Sequence, residues 1–369
     1  MNTTLEKFQT TRNELAAGLI EREQEVDALL LAMLAGEHAL LVGPPGTAKT
    51  MLATLLAEWM SGRRFTTLLT KYSMPEDVFG PVDVRGLKEG RYRRITDGRL
   101  ADAHVALVDE TFKASSAILN CLLTAMEERL FDNDGRREPI PLEIMIGCSN
   151  EWPGSNGDAD AKELGALFDR FTIRKAVRSI GTDRGRHRLM YEPIAPTLST
   201  RITPEELKTA RAEAAALPFG DPAQEAAAEI LRKLAEEGIT PGDRRLRKAV
   251  AVARAAAWLE GHAQVERADL ECWQWVLWVD PAEQPEKAAK IVSRIANPEG
   301  AKITSFLMEA EQIIRETDQK DLAATATACK KLGEIHEKLK ESRGRKAEQG
   351  AAHVAGEIKR IRLATVEAL

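Results

Sequence analysis

Read by the spacing of its apolar positions, the chain changes character twice. From Thr11 to Glu37, Leu15, Leu19, Ile20, Val26, Leu29, Leu30, Met33 and Leu34 recur at three- and four-residue steps, which predicts an amphipathic helical region ended by Gly36. A short apolar run, His38 to Val42, then meets Gly43-Pro44-Pro45-Gly46, and Thr50 to Met60 returns to helical spacing. Two further apolar runs of strand length, Val105 to Val108 and Ile144 to Cys148, flank a helical stretch from Ser115 to Arg129. Strands interleaved with helices predict an α/β domain with a mainly parallel sheet. Short alternating runs around Lys88-Glu89-Gly90 predict an inserted hairpin at about 80–96, and Asn133-Asp134-Gly135 marks a second hairpin, because the turn needs positive φ angles.

Beyond about residue 180 strand-like runs stop. Pro193, Pro196, Pro204, Pro218, Pro222 and Pro241 punctuate helical segments, several at helix starts where a missing N–H costs nothing. From Gln284 to Leu369 the chain is polar and Lys/Glu-rich, and reads as two or three helices with breaks near Asn297-Pro298 and Ser342-Arg343-Gly344. The expected organisation is an α/β core over 1–180, a helical domain over 181–283 and a helical extension over 284–369.

The net charge of -5 argues against coating nucleic acid through bulk charge. That total conceals a contrast: residues 284–369 carry a surplus of +3 and the remainder -8. Cys121, Cys148, Cys272 and Cys329 stand far apart with no CxxC pair, as expected in a reducing, cytoplasmic compartment. No segment approaches 18 uninterrupted apolar residues and the N-terminus lacks an apolar signal core, so neither membrane insertion nor secretion is expected.

The candidate chemistry begins at Gly43-Pro44-Pro45-Gly46-Thr47-Ala48-Lys49-Thr50, followed by Met51, between a strand and a helix. A loop of this kind aims backbone N–H groups and a helix N-terminus at phosphate, Lys49 reaches the terminal phosphates, and the Thr50 hydroxyl binds Mg2+. Ala48 stands where glycine is usual, and its methyl is tolerable if that residue already has helical dihedrals. Val105-Ala-Leu-Val-Asp109-Glu110 suits an apolar strand ending in a metal-shell carboxylate, Asp109, and a water-polarising carboxylate, Glu110. Ile144 to Asn150 is another apolar strand, ending in an amide that orients water or is merely a turn former. Arg170, in Leu167-Phe-Asp169-Arg170-Phe171, is either an arginine finger for a neighbouring subunit or a local partner of Asp169. Asp243-Arg244-Arg245 opens a helix, and spacing alone does not choose between the two arginines or exclude a solvated basic cap.

The ordered set GPPGTAKT, ALVDE, CSN, LFDRF and GDRR resembles AAA+ ATPases of the MoxR family, in which Ala-Lys-Thr in the phosphate loop is habitual. Lys71 to Pro81, Gly90-Arg-Tyr and Ala117 to Arg129 resemble the RavA branch in particular, over residues 10 to about 280. The resemblance implies an AAA+ P-loop core with a helix-2 insert, a helical lid, and ATP/ADP and Mg2+ as ligands. It makes Lys49 and Thr50 the Walker A pair, Asp109 and Glu110 Walker B, Asn150 sensor 1, Arg170 the arginine finger and Arg244 sensor 2. It further implies a homo-hexameric ring with sites between subunits, a protein client and a partner bearing a von Willebrand factor A domain. RavA continues with a β-rich module within its C-terminal region, whereas residues 284–369 here read as helical, so functions of that module do not transfer. The alternative is a motor on nucleic acid, using Arg91, Arg93, Arg94 and Arg99 of the insert; nucleic acid is otherwise not an expected partner.

Overall fold

The computed structural model describes residues 3–153, 161–194, 196–317, 322–342 and 345–367. They form two compact units, Met1–Ala289 and Lys290–Leu369. The expected core (1–180) and lid (181–283) both lie in the first.

Helices α1 (Thr3–Gly18) and α2 (Glu23–Ala35) replace the single helical region expected over 11–37, because the chain turns at Glu21 with a left-handed φ of 55°. Nearly every residue of α2 from Glu25 to Leu34 is buried, as an all-round apolar sequence requires. Gly36 ends it at φ 71°, donating its amide to the Met33 carbonyl. The chain continues through β1 (His38–Val42), α3 (Lys49–Trp59), β2 (Arg64–Leu68), α4 (Pro75–Phe79), α5 (Val84–Lys88), β3 (Val105–Asp109), α6 (Ser116–Glu128), β4 (Leu130–Asn133), β5 (Arg136–Pro139), β6 (Ile144–Ser149), α7 (Ala161–Arg170) and β7 (Phe171–Ala176). Five strands form one sheet in the order β2-β3-β6-β1-β7, every pair parallel, with helices around it. β1 and β6 are buried along their whole length, which is why they read as continuous apolar runs.

β4 and β5 form the second expected hairpin, turning through Asp134 (φ 56°) and Gly135 (φ 72°). The insert at 80–96 differs from the expected hairpin. A single antiparallel bridge, Val82 with Arg94, closes a loop that holds α5. The Asp83 carboxylate caps that helix by accepting from the Arg85 amide at 3.0 Å, and the returning Tyr92 and Arg94 amides donate to the Asp134 and Asn133 side chains. The amides of Tyr92 and Arg94 are thus spent on the neighbouring turn, while those of Asp83 and Ile95 make the backbone bonds of the bridge.

Then come α8 (Asp183–Tyr191), α9 (Pro204–Ala216), α10 (Asp221–Glu236), α11 (Asp243–Glu260) and a 3-10 run, Arg267–Trp275. Pro204 occupies the first turn of α9, where Thr203 and Glu206 make a reciprocal cap. Trp273, Trp275 and Trp278 are buried core residues.

α12 (Gln284–Ala296) begins in the first unit and ends in the second, which also holds α13 (Pro298–Glu316), α14 (Leu322–Glu341) and α15 (Arg345–Glu367). Residues 284–367 therefore supply four helices where two or three were expected. The break expected at Arg343-Gly344 lies outside the described residues. Ile303, Leu332, Ile335, Leu339, Val354 and Ile361 give this unit its own core. Among the described residues no helix is long and apolar enough to cross a membrane.

Candidate functional site

Parallel register brings three strand ends to one edge. Val42 pairs with Ser149, and Val108 with Gly147, so Gly43, Asp109 and Asn150 emerge together at the C-terminal ends of β1, β3 and β6, where open α/β sheets bind ligands. Gly43 must be glycine, since a Cβ there would meet the Val177 carbonyl oxygen at 2.0 Å. Gly46 has φ 77° and open space beside it. Ala48 departs from the expectation of helical dihedrals: its φ of 65° and ψ of 19° are left-handed, a conformation that costs an L-residue about 1 kcal/mol or more. Thr47 Oγ1 donates to the Pro44 carbonyl at 2.8 Å, tightening the loop, and Met51 lies partly exposed one turn into α3.

Lys49 Nζ donates to the carbonyls of Gly43 (2.6 Å) and Pro44 (2.9 Å) and to Asn150 Oδ1 (3.0 Å). Burial pushes its pKa below the usual lysine range, against the opposing charges of Asp109 and Glu110. The same Asn150 donates Nδ2 to Glu110 Oε1, and Glu110 Oε2 meets Lys113 Nζ at 3.2 Å. Glu110 is itself left-handed, at φ 51°, with its amide donated to Asp109 Oδ1. Lys49, Asn150, Glu110 and Lys113 therefore form one continuous polar chain. Beside it, Thr50 Oγ1 lies 2.9 Å from Asp109 Oδ2. A hydroxyl and a carboxylate so placed are hard oxygen donors that suit Mg2+, and the loop's backbone amides at the start of α3 suit phosphate.

Arg22 is a site residue that sequence reasoning missed. Buried at the break between α1 and α2, it donates Nε to the Thr47 carbonyl (3.1 Å), Nη1 to the Glu21 carbonyl (2.6 Å) and Nη2 to the Arg178 carbonyl (2.9 Å). It thus ties the phosphate loop to the segment leaving β7. The Glu21 carboxylate binds that segment too, through the amides of Gly181 (2.7 Å) and Thr182 (3.1 Å). Burial would raise the Glu21 pKa, but these hydrogen bonds outweigh it and hold it below the usual range.

The arginines lie elsewhere. Phe171, which follows Arg170, pairs with His38 at the start of β1, five residues before Gly43. At about 3.3 Å per residue, Arg170 stands about 16 Å from the phosphate loop, at the opposite end of the sheet. Its Nη1 donates to the Ala166 carbonyl at 3.1 Å, and its Nε is buried without a partner. The local pairing with Asp169 does not occur. Asp169 instead accepts from buried Arg245 at 2.6 Å and lies 3.5 Å from buried Arg174, and although burial opposes it, these contacts hold its pKa low. Arg245 also donates to the Val276 carbonyl at 3.0 Å, so it joins α11 to the core. Arg244 is half-exposed and pairs with Glu127 at the end of α6. The structure therefore assembles the loop, Asp109, Glu110 and Asn150, and keeps Arg170 and Arg244 away from them.

Residues 6–197 match the family described as the MoxR domain in the MoxR-vWA-beta-propeller ternary systems, and residues 225–292 match an AAA lid domain. An uncharacterized protein of Methanocaldococcus jannaschii is 33% identical over 313 residues, 83% of this chain and 79% of that protein. The chaperone MoxR1 of Mycobacterium tuberculosis is 29% identical over 128 residues, 35% of this chain and 33% of that protein. The fold is similar to a crystal structure of a candidate ATPase from Cytophaga hutchinsonii, at TM-score 0.62 and 17% identity, covering 80% of this chain and 96% of that one. With half of its length matching the MoxR domain and a lid domain following it, the chain belongs to the MoxR family of AAA+ ATPases.

Proposed function

We propose that this chain hydrolyses ATP to ADP and phosphate in a cytoplasmic homo-hexameric ring and uses the cycle to remodel or mature protein complexes. The observation that carries the hydrolase reading is the junction of Lys49, Asn150 and Glu110 beside the Thr50–Asp109 pair. Lys49 and the loop amides hold the phosphates, and Thr50 and Asp109 hold Mg2+, which when bound neutralises phosphate charge. Glu110 takes the proton of the attacking water, which Asn150 orients. Asn150 and Lys113 each engage one Glu110 oxygen, which orients the carboxylate and leaves each oxygen a further lone pair for the water's proton.

Ring assembly draws support from Arg170: about 16 Å of strand separates it from its own loop, and its Nε has no partner. A guanidinium so placed serves a neighbour's site, and the exposed Arg244 on the same end serves as sensor 2. The protein client and a von Willebrand factor A domain partner draw support from the matched family's description and from the relative named as a chaperone. Kinship with the RavA branch rests on residues 71–81, 90–92 and 117–129 and stays within this proposal. Of the four arginines of the nucleic-acid alternative, Arg91 pairs with Glu89, Arg94 with Glu76 and Arg99 donates to the Asp77 carbonyl, which leaves Arg93, exposed and unpaired among the described residues, as its one support.

The test is phosphate release by Glu110→Gln. The variant is expected to bind ATP as the parent does while turnover falls at least ~100-fold. Undiminished turnover refutes the assignment of Glu110.

A further inference from the structure

A cavity of about 730 Å³ lies away from the phosphate loop, where α11 faces the C-terminal end of α2 and α9. Its apolar lining is made of small and aliphatic residues, Leu34, Ala35, Ala214, Ala215, Val250 and Ala251. Five cations line the same space against two carboxylates, Glu37 and Glu127. Three of the five are matched: Arg211 by Glu143, Arg244 by Glu127, and Lys248 by Glu37 at 2.8 Å. Arg247 and Arg254 are not. Neither makes a hydrogen bond or an ion pair among the described residues, and Arg254 Nε is buried with no acceptor, its guanidinium resting 6.0 Å from the Phe219 ring centroid.

These two arginines are seven residues apart on α11, hence on one face and about 10 Å apart along the axis. Arg254 Nε itself is closed off from the cavity, so the Nη groups of Arg254 and the exposed guanidinium of Arg247 are the donors left for a ligand. The volume falls in the range of small-molecule sites, and an apolar wall with a few convergent polar groups is their usual composition.

We propose that this cavity is a second ligand site, which takes a phosphorylated small molecule with its flat or aliphatic body on the alanine-rich wall and its phosphates on Arg247 and Arg254. Guanidinium forks match phosphate oxygens in a bidentate manner, which fits arginine here better than a diffuse lysine patch would. The bound molecule bridges α9 and α11 to the end of α2, so it stiffens the helical domain against the core.

The test titrates adenosine 3′,5′-bisphosphate calorimetrically into the full chain carrying Lys49→Ala, which disables the phosphate loop, with no other nucleotide present. One molecule per chain is expected to bind. Replacing both arginines as well (Arg247→Gln with Arg254→Gln) weakens binding at least tenfold. Arg247→Gln alone, at an exposed position, weakens it at least threefold with an unaltered unfolding midpoint. The proposal is overturned by absence of binding to the Lys49→Ala chain, or by equal binding to the chain that also lacks both arginines. Equal affinity for citrate or for a hexaglutamate peptide also overturns it, because the cavity would then be a general basic surface or a peptide groove.

Discussion

Replacing Arg22 with alanine tests whether the phosphate loop is held from behind by the junction of α1 and α2. The buried guanidinium donates to three carbonyls, of Thr47, Glu21 and Arg178. Hydrogen bonds from a charged donor contribute about 1.5–3 kcal/mol each, and truncation also leaves buried carbonyls unpaired. Allowing for water entering the space, the net loss is about 3–5 kcal/mol, within the range seen when one member of a buried polar network is removed. For a unit of this size each kcal/mol moves the unfolding midpoint by about 2 °C, so calorimetry of Arg22→Ala should show a fall of about 6–10 °C. Because one of the three carbonyls belongs to the loop itself, affinity for a fluorescent ADP analogue should fall as well, at a temperature where the variant is fully folded. Arg22→Lys keeps the charge and supplies at most one or two of the three contacts, so it should lie between. An unchanged midpoint together with unchanged ADP affinity in Arg22→Ala would refute the reasoning. A lower midpoint with unaltered affinity would make Arg22 a structural residue with no hold on the loop.

Two further outcomes follow from buried groups. Ala48→Gly relieves a left-handed alanine (φ 65°) but returns about 0.4–1 kcal/mol of unfolded-state entropy, so stability should change by less than about 1 kcal/mol, whereas Ala48→Val should lower both the midpoint and ADP affinity. His38 is fully buried, and burial, followed by the charge of Arg129, holds its pKa well below the usual value. Its contribution to stability is present above the unfolded-state pKa of about 6.5 and is lost as pH falls below it, at up to about 1.4 kcal/mol per pH unit; denaturant unfolding between pH 7 and 5 should show this slope, reduced in His38→Gln.

How much of this was legible in the sequence depends on what each residue advertises. β1, β3 and β6 announce themselves because central parallel strands are apolar on both faces. β2 and β7 did not. β2 is an edge strand whose Arg64-Phe-Thr-Thr-Leu68 alternates between buried and exposed, and β7 carries Arg174 and Lys175 through a buried position that composition marks as polar. Arg174 is tolerated there because it lies 3.8 Å from the Phe168 ring centroid and donates to the Trp278 carbonyl. The loop, Asp109, Glu110 and Asn150 were readable because local chemistry at strand ends fixes their residue types. Arg22 belongs to no motif, and its value lies in carbonyls 25 and 156 positions away, which spacing along the chain does not encode. The choice between Arg244 and Arg245 was undecidable for the same reason: neighbours on one helix turn, they separate only when Asp169 buries one and leaves the other half-exposed.

The central claim is that hydrolysis takes place at a site completed by a neighbour's Arg170. Mixing two variants tests it most directly. Arg170→Ala and Glu110→Gln, each expected to be nearly inactive alone, are combined in equal amounts under conditions that let subunits exchange, and phosphate release is measured. A finger acting between subunits restores activity wherever an intact Arg170 faces an intact Glu110, about a quarter of the interfaces by random assortment in a head-to-tail ring. No recovery, in rings shown to have mixed by affinity capture of one tagged variant together with the other, would contradict the account.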